Sequence, residues 1–174
     1  EGMRLGHAKL VDAMYQDGFE CPLSNQLMGV TAETLAKKHS ITRQEQDEFA
    51  VSSQHKCEAA RKEGRFKDEI VPIEIKDRKG NVNVFDHDEH ARDGVKIESL
   101  AKLKPVFDRD AGSVTAANSS GITDGAAALL LMTESKAKEL GLEVLASFEH
   151  WTQAGVDPAI MGIGPVPALQ KLEE

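Results

Sequence analysis

The stretch Val114-Thr-Ala-Ala-Asn-Ser-Ser-Gly-Ile-Thr-Asp-Gly-Ala-Ala-Ala128 is the most informative part of this 174-residue chain. Its first four residues are small or β-branched, which favours extended backbone. Asn118-Ser-Ser-Gly121 has the composition of a turn. The apolar run over 126–133 predicts a buried strand, although a buried helix of that length has nearly the same pattern.

Outward from this stretch, predicted helices and strands alternate. The apolar spacing predicts helices over 5–16, 28–38, 97–103 and 134–140, and a final helix that begins at Pro165 or Pro167. A further helix follows the capping box Thr42-Arg-Gln-Glu45 and ends at Gly64. Period-two alternation predicts strands over 69–75 and 82–85, and a last strand is expected over 144–151. The segments 19–27 and 86–94 are expected to be loops. This alternation indicates an α/β or α+β layer arrangement.

Composition and charge narrow the class of protein. The chain is 40% apolar and 29% charged, so a packed core is expected. Its 21 basic and 29 acidic residues give a net charge of -8, which argues against a broad nucleic-acid or anionic-membrane surface. A local basic pocket for a small anion stays compatible with this charge.

The two cysteines and the ends of the chain give expectations about the cellular compartment and about whether the chain is part of a longer protein. Cys21 and Cys57 form no disulfide framework, which suits a reducing compartment. No leader is visible in residues 1–7, and no apolar run is long enough to span a membrane. We therefore expect a cytoplasmic location. Because the chain does not begin with Met and its last helix has no cap, we also expect it to be a piece of a longer protein.

Few residues indicate a chemical role by their type and spacing alone. Cys57 lies on the apolar stripe of its predicted helix and is expected to be a small core residue, and Cys21 in its loop is not expected to be a nucleophile. His87 and His90, among acidic neighbours, are compatible with a metal site, but a solvated loop is the favoured interpretation. There is no dinucleotide fingerprint, P-loop or G-x-S-x-G motif.

One basic cluster has two interpretations. Its members are Arg92, Lys96, Lys102, Lys104 and Arg109. With the small-residue turn that follows, they are suited to a phosphate-bearing ligand that approaches the backbone closely. A solvated basic face is the alternative, and charge pattern alone favours it.

Several ordered motifs resemble those of thiolases. The stretch 114–128 resembles the family's T-A-x-N-[AS]-S-G-x-x-D-G-A-A-A motif. Upstream, Met28-Gly-x-Thr-Ala-Glu, Arg43-x-Glu-Gln-Asp-x-Phe-Ala and Phe66-Lys-Asp-Glu-Ile-Val-Pro resemble the family in the same order. Downstream, Gly155-Val-Asp-Pro-x-x-Met-Gly-Ile-Gly-Pro continues the likeness. The match spans nearly the whole chain and is closest in pattern to the acetyl-CoA acetyltransferase branch.

The resemblance implies a thiolase-like α/β fold, of which this chain is an internal fragment. Such proteins have two similar βαβαβαββ halves and an α+β loop domain inserted in the first. By this likeness residues 1–123 form the CoA-binding loop domain, 124–144 return to the N-terminal half, and 145–174 open the truncated C-terminal half. It also implies a homodimer or homotetramer when the protein is intact.

The chemistry implied is acyl transfer through an acyl-cysteine. The family condenses two acetyl-CoA to acetoacetyl-CoA, or cleaves that or another 3-oxoacyl-CoA with CoA. The nucleophilic Cys, the His and the second Cys are expected outside this chain, so we expect no catalytic residue here, no metal, and coenzyme A as substrate rather than cofactor. The alternative is a non-catalytic module that binds CoA or acyl-CoA. Neither nucleic acid nor membrane is an expected partner.

The resemblance also implies substrate-binding positions. Arg92 matches a residue beside the adenine and phosphate end of CoA, and Ser99 lies on the same predicted short helix. Phe107, Ala116 and Ser120 match residues that meet the pantetheine. The acyl pocket is bordered by positions matching Leu27, Met28 and Met161. Short-chain members often have His where this chain has Leu27, which leaves the acyl preference open. Either methionine alone is equally well explained as a core filler.

Overall fold

The computed structural model describes residues 5–173. These residues form two compact units: one joins the described residues up to Leu35 with those from Ile122 onward, and the other is Ala36–Gly121. The expectations about a leader and about the end of the final helix rest partly on residues 1–4 and 174, which lie outside the described residues. The domain boundaries expected at 123 and 144 stay predictions.

The helix predicted over 5–16 is wrong for most of that range. Within the described part, the first helical element is a π-helical segment, Met14–Phe19. Leu10, Val11 and Met14, whose spacing predicted a packed face, are all exposed, so an amphipathic helix would gain little by burial here. Gly18 does not adopt the positive φ that was expected to end the helix.

The loop expected over 19–27 contains a short antiparallel pair. Strands β1 (Glu20–Cys21) and β2 (Gln26–Leu27) are joined by a tight turn. Asn25 adopts φ +51° in this turn, a conformation that Asn tolerates better than most residues. The loop prediction therefore missed a minimal hairpin, which is too short for a periodic sequence signal.

Two helices follow, both as predicted. Helix α1 is Met28–His39 and helix α2 is Arg43–Lys62. At the start of α2 the Thr42 hydroxyl accepts from the Glu45 N–H at 3.2 Å, and the Glu45 carboxylate accepts from the Thr42 N–H at 2.7 Å. Gly64, at φ +72°, lies just beyond its end. The predicted capping box is confirmed.

A β-hairpin comes next. Strands β3 (Ile73–Lys76) and β4 (Val82–Phe85) pair antiparallel, and the Asp77 carboxylate organises the turn by accepting from the N–H groups of Lys79 at 2.8 Å and Asn81 at 2.9 Å. Both strands were predicted, although β3 starts later than position 69. The residues of both strands are exposed.

The core of the unit Ala36–Gly121 lies where α2 meets helix α3 (Ile97–Leu100) and the extended segment after it. Its buried residues are Asp47, Leu100, Ser113, Val114 and Thr115. The extended backbone predicted over 114–117 forms no strand among the described residues, and the chain bends over 116–119. Helix α3 is shorter than the range 97–103 predicted for it.

The strands predicted over 126–133 and 144–151 are absent from the described residues. The apolar run stays exposed, with Leu129, Leu130 and Leu131 each at least 75% accessible. A strand is stabilised by a hydrogen-bonded neighbour, and within the described part of the chain these segments have none. The prediction of a buried strand is therefore not met in this chain.

The remaining elements are short helices. Helix α4 (Glu134–Leu140) begins at Thr133 and ends at Gly141 (φ +66°), as predicted. The Gly-rich loop expected over 161–165 is in part a 3₁₀ helix, Pro158–Ile163, and helix α5 (Pro165–Glu173) begins at the expected proline. Among residues 5–173, no helix has the length and apolar character needed to cross a membrane.

Candidate functional site

The unit Ala36–Gly121 contains a cavity of about 350 Å³. Helix α2, helix α3, the segment before α3 and the small-residue turn after residue 115 all contribute to its wall. The lining residues are Ala50, Gln54, His90, Arg92, Val95, Ser99, Leu100, Leu103, Ala116, Ala117 and Ser119. Most are small or apolar, with a few polar groups among them, which is the usual make-up of a small-molecule site.

The charge of this cavity is opposite to that of the chain. Arg92 lines it, and no carboxylate does so among the described residues. The chain as a whole has a net charge of -8. In residues 5–173 the Arg92 guanidinium has neither a hydrogen-bond nor an ion-pair partner, so its donors are available to a ligand. The cavity therefore favours an anionic ligand such as a phosphate ester.

Helix α2 holds the segment that carries Arg92. The side-chain carbonyl of Gln54 accepts from the Arg92 N–H at 3.0 Å. One turn further along α2, the Glu58 carboxylate accepts from the Gly94 N–H at 2.9 Å. An ion pair joins Arg61 to Asp93, and a ring nitrogen of His55 lies 2.7 Å from the Val95 carbonyl oxygen. These side chains share one face of the helix, so the helix fixes the cavity's cationic edge.

The stability that the hydrogen bond between Glu58 and the Gly94 N–H contributes should depend on pH. The Gly94 N–H, and then the Lys62 ammonium, hold the pKa of Glu58 below its ordinary value. A carboxyl whose pKa is lowered by folding adds stability above its unfolded pKa, and this is lost as the pH falls through the folded pKa. We therefore expect Glu58→Gln to lower the Tm at neutral pH, and the difference from wild type to vanish in acid.

The measurement is Tm by circular dichroism over a pH series. Asp68→Asn is the matched control, because the exposed Asp68 forms no ion pair within residues 5–173. A Tm difference for Glu58→Gln that stays constant from neutral to acidic pH would contradict the linkage.

A buried polar network fixes the opposite wall. Arg43 donates from Nε to Asp47 Oδ2 at 2.7 Å. Its Nη2 donates to the carbonyl oxygens of Leu100 at 2.8 Å and Leu103 at 3.2 Å. Leu100 and Leu103 line the cavity. Because Arg43 donates to these carbonyl oxygens, they need no N–H partner from a further turn of helix. Helix α3 can therefore end before residue 103, which explains why it is shorter than predicted.

Asn118 extends this network into the small-residue turn. Its Nδ2 donates to Asp47 Oδ1 at 3.0 Å and to the Ser113 carbonyl at 2.9 Å, and its Oδ1 accepts from the Thr115 N–H at 2.7 Å. Both polar atoms of its side chain are therefore engaged. This bonding holds the backbone that presents Ala116 to the cavity.

The predicted substrate residues separate into three groups. Arg92, Ser99 and Ala116 meet at the cavity. Phe107 and Ser120 belong to the same unit but are not among the described residues that line it. The other three, Leu27, Met28 and Met161, belong to the other unit. The roles of all eight stay predictions.

The basic cluster also divides. Besides Arg92, its members Lys96, Lys102, Lys104 and Arg109 do not line the cavity, and within the described residues none of them forms an ion pair. All five are exposed, so what distinguishes Arg92 from the other cations is that it alone of the cluster lines the cavity, which the charge pattern could not show.

His90 is a lining residue that the sequence pattern did not indicate. The polar loop around it predicted a solvated histidine, and His90 is indeed exposed, although it also lines the cavity. Its neighbour His87 pairs with Asp86 at the surface, 3.2 Å apart. The spacing of two residues between His90 and Arg92 was the available signal. Across residues 5–173, no three His, Cys, Asp or Glu side chains are grouped as metal ligands would be.

Neither cysteine contributes to the cavity wall among the described residues. Cys21 is buried in β1, and Cys57 is half-buried on α2. The half-buried position of Cys57 agrees with the expectation that it is a packing residue. Hydrogen bonding from Ser24 lowers the pKa of the Cys21 thiol.

Comparison with known proteins identifies the family. A model of the thiolase N-terminal domain matches residues 1–135. The chain belongs to the thiolase family. This thiolase chain is 56% identical over 170 residues to the acetyl-CoA acetyltransferase of Pseudomonas aeruginosa, covering 98% of this chain and 43% of that protein. It is 55% identical over 174 residues to the enzyme of the same name from Allochromatium vinosum, covering 100% of this chain and 44% of the relative.

Solved thiolase structures share the fold. The Bacillus anthracis acetyl-CoA acetyltransferase superposes with a TM-score of 0.84 at 49% identity, and human mitochondrial 3-ketoacyl-CoA thiolase with 0.85 at 43% identity. Each match covers 98% of this chain and 42% of the other. The thiolase-like α/β fold is confirmed, and the chain spans less than half the length of the relatives it matches.

Proposed function

We propose that this chain is the coenzyme A-binding part of an acetyl-CoA acetyltransferase. The intact protein would condense two acetyl-CoA to acetoacetyl-CoA, or cleave a 3-oxoacyl-CoA with CoA. The observation that carries the proposal is the likeness to acetyl-CoA acetyltransferases over the whole chain. The cavity supports it, because an acidic chain here presents an unpaired Arg92 and no lining carboxylate among the described residues.

Each part of the cavity has a role in this proposal. Arg92 binds a phosphate group of CoA through charge-assisted hydrogen bonds. The small side chains of Ala116 and Ala117 let the pantetheine chain lie close to the backbone, while Leu100 and Leu103 supply apolar contact. Because helix α2 holds the segment of Arg92 and the Arg43–Asp47–Asn118 network holds the rest of the wall, the ligand would meet a preformed site.

The covalent step belongs to residues outside this chain. A cysteine thiolate attacks the thioester carbonyl, the acyl group is transferred to sulfur, and CoA leaves as its thiolate. The residues of this chain would hold the CoA so that the thioester reaches that sulfur. Coenzyme A thus acts as substrate rather than resident cofactor.

The finer features of the intact protein are also proposals. We infer a cytoplasmic homodimer or homotetramer that acts on acetyl-CoA and acetoacetyl-CoA. Leu27, at the position where short-chain relatives often have His, would influence the acyl length accepted.

The test is thiolysis by the intact polypeptide that contains this chain. With CoA present, acetoacetyl-CoA should be consumed, and a series of longer 3-oxoacyl-CoA substrates would report the acyl preference. The 174-residue chain alone is the control, and it should be inactive because it lacks the nucleophile. Absence of thiolysis at every chain length would overturn the proposal.

A further inference from the structure

His90 lies directly against Gly121. A Cβ placed on Gly121 would lie 2.8 Å from Nδ1 and 3.0 Å from Nε2 of the His90 ring, and closer still to Cε1. Real Cβ atoms do not approach ring atoms so closely. The ring can therefore occupy this place only because residue 121 has no side chain.

This position places the imidazole in the cavity wall beside Arg92. Among the described residues, neither His90 ring nitrogen has a hydrogen-bond partner. An imidazole always has at least one N–H to donate, whichever tautomer is present. The cavity wall thus contains a second unpaired donor in addition to the guanidinium.

Three carboxylates of this region are engaged elsewhere: those of Asp93, Asp86 and Glu58. Asp93 pairs with Arg61, and Asp86 pairs with His87. Glu58 accepts from the Gly94 N–H and from the Lys62 ammonium. These three carboxylates therefore do not compete with a ligand anion for the His90 and Arg92 donors.

We propose that His90 contacts the phosphate-bearing end of coenzyme A by donating a ring N–H, and that Gly121 is required to keep the ring in place. The inference rests on the proposed function, and it adds a specificity residue to the binding site. His90 acts alongside Arg92, and Gly121 is a positioning residue that acts through His90.

The test is a double-mutant cycle on CoA binding, measured by calorimetry on the intact polypeptide. His90→Ala and Gly121→Ala should each weaken CoA binding about tenfold, the lower end of what a hydrogen bond to a charged group contributes. The double variant should bind about as weakly as either single variant, because both changes remove the same contact. His87→Ala is the matched control and should bind CoA like wild type.

Two further measurements locate the contact. Pantetheine, which lacks the nucleotide and its phosphates, should bind equally to wild type and His90→Ala. His90→Gln retains a donor and should recover part of the lost affinity. Thermal unfolding of every variant reports whether the fold is intact.

The outcomes separate this inference from the proposed function. If wild type binds CoA and His90→Ala binds it equally well, the inference fails and the proposed function stands. Equal weakening of pantetheine and CoA overturns the phosphate contact, and additive losses in the double variant overturn the role of Gly121. If wild type does not bind CoA, both fail.

Discussion

Asp47→Ala should lower the free energy of unfolding by about 3 kcal/mol, which lies at the lower end of the range for breaking a buried ion pair. The Asp47 side chain is only 4% exposed and accepts from Arg43 and Asn118. Its removal leaves a guanidinium and an amide without their shared acceptor. Because the Arg43 side chain remains 24% exposed, water compensates part of the loss.

Equilibrium urea unfolding of the chain measures this change. Asp47→Asn keeps an acceptor for Asn118 but loses the charge facing Arg43, so it should fall between wild type and Asp47→Ala. Glu48→Gln, on the exposed face of the same helix, is the matched control and should change stability by less than about 0.5 kcal/mol. Equal effects of Asp47→Ala and Glu48→Gln would show that the network contributes nothing to stability.

Arg92→Ala should raise the KM of the intact polypeptide for CoA about 30-fold. A hydrogen bond to a charged group contributes about 2 kcal/mol, and this difference corresponds to that factor. The guanidinium would meet the phosphate end of CoA, far from the reacting sulfur, in both the ground and transition states. We therefore expect kcat to change little, as for loss of uniform binding.

The control for this variant is Arg109→Ala. Arg109 belongs to the same basic cluster and forms no ion pair within residues 5–173, but it does not line the cavity. Its substitution should leave the KM for CoA within about twofold of wild type, since exposed charges interact weakly through water. If Arg109→Ala raises KM as much as Arg92→Ala, the effect comes from the general field of the basic cluster, and the cavity contact is refuted.

Local signals in the sequence predicted the elements that depend on local interactions. Helix α2 depends on reciprocal hydrogen bonds between Thr42 and Glu45, three residues apart. Helix α4 depends on Thr133 at its start and Gly141 at its end. The hairpin turn depends on the Asp77 carboxylate and N–H groups a few residues away. Such contacts form between near neighbours, so the pattern of residues is enough to reveal them.

Elements that need distant partners were predicted less well. The run over 126–133 has the composition of a strand, yet Leu129 and its neighbours are exposed and no ladder forms in the described residues. The helix predicted over 5–16 likewise has no surface against which Leu5 and Leu10 could pack. Apolar pattern predicts what a segment can form, but burial against another segment decides whether it does.

For the site, residue types and motif order were sufficient to indicate a thiolase, a CoA ligand and Arg92 as a candidate contact. Tertiary structure was needed to select Arg92 from the other cations of its cluster, to connect Asn118 with Asp47, and to place His90 against Gly121. Asn118 and Asp47 are 71 positions apart, and His90 and Gly121 are also distant in sequence. No periodicity spans such separations, because these contacts arise only when the turn that follows residue 115 packs against helix α2 and against the segment that contains His90.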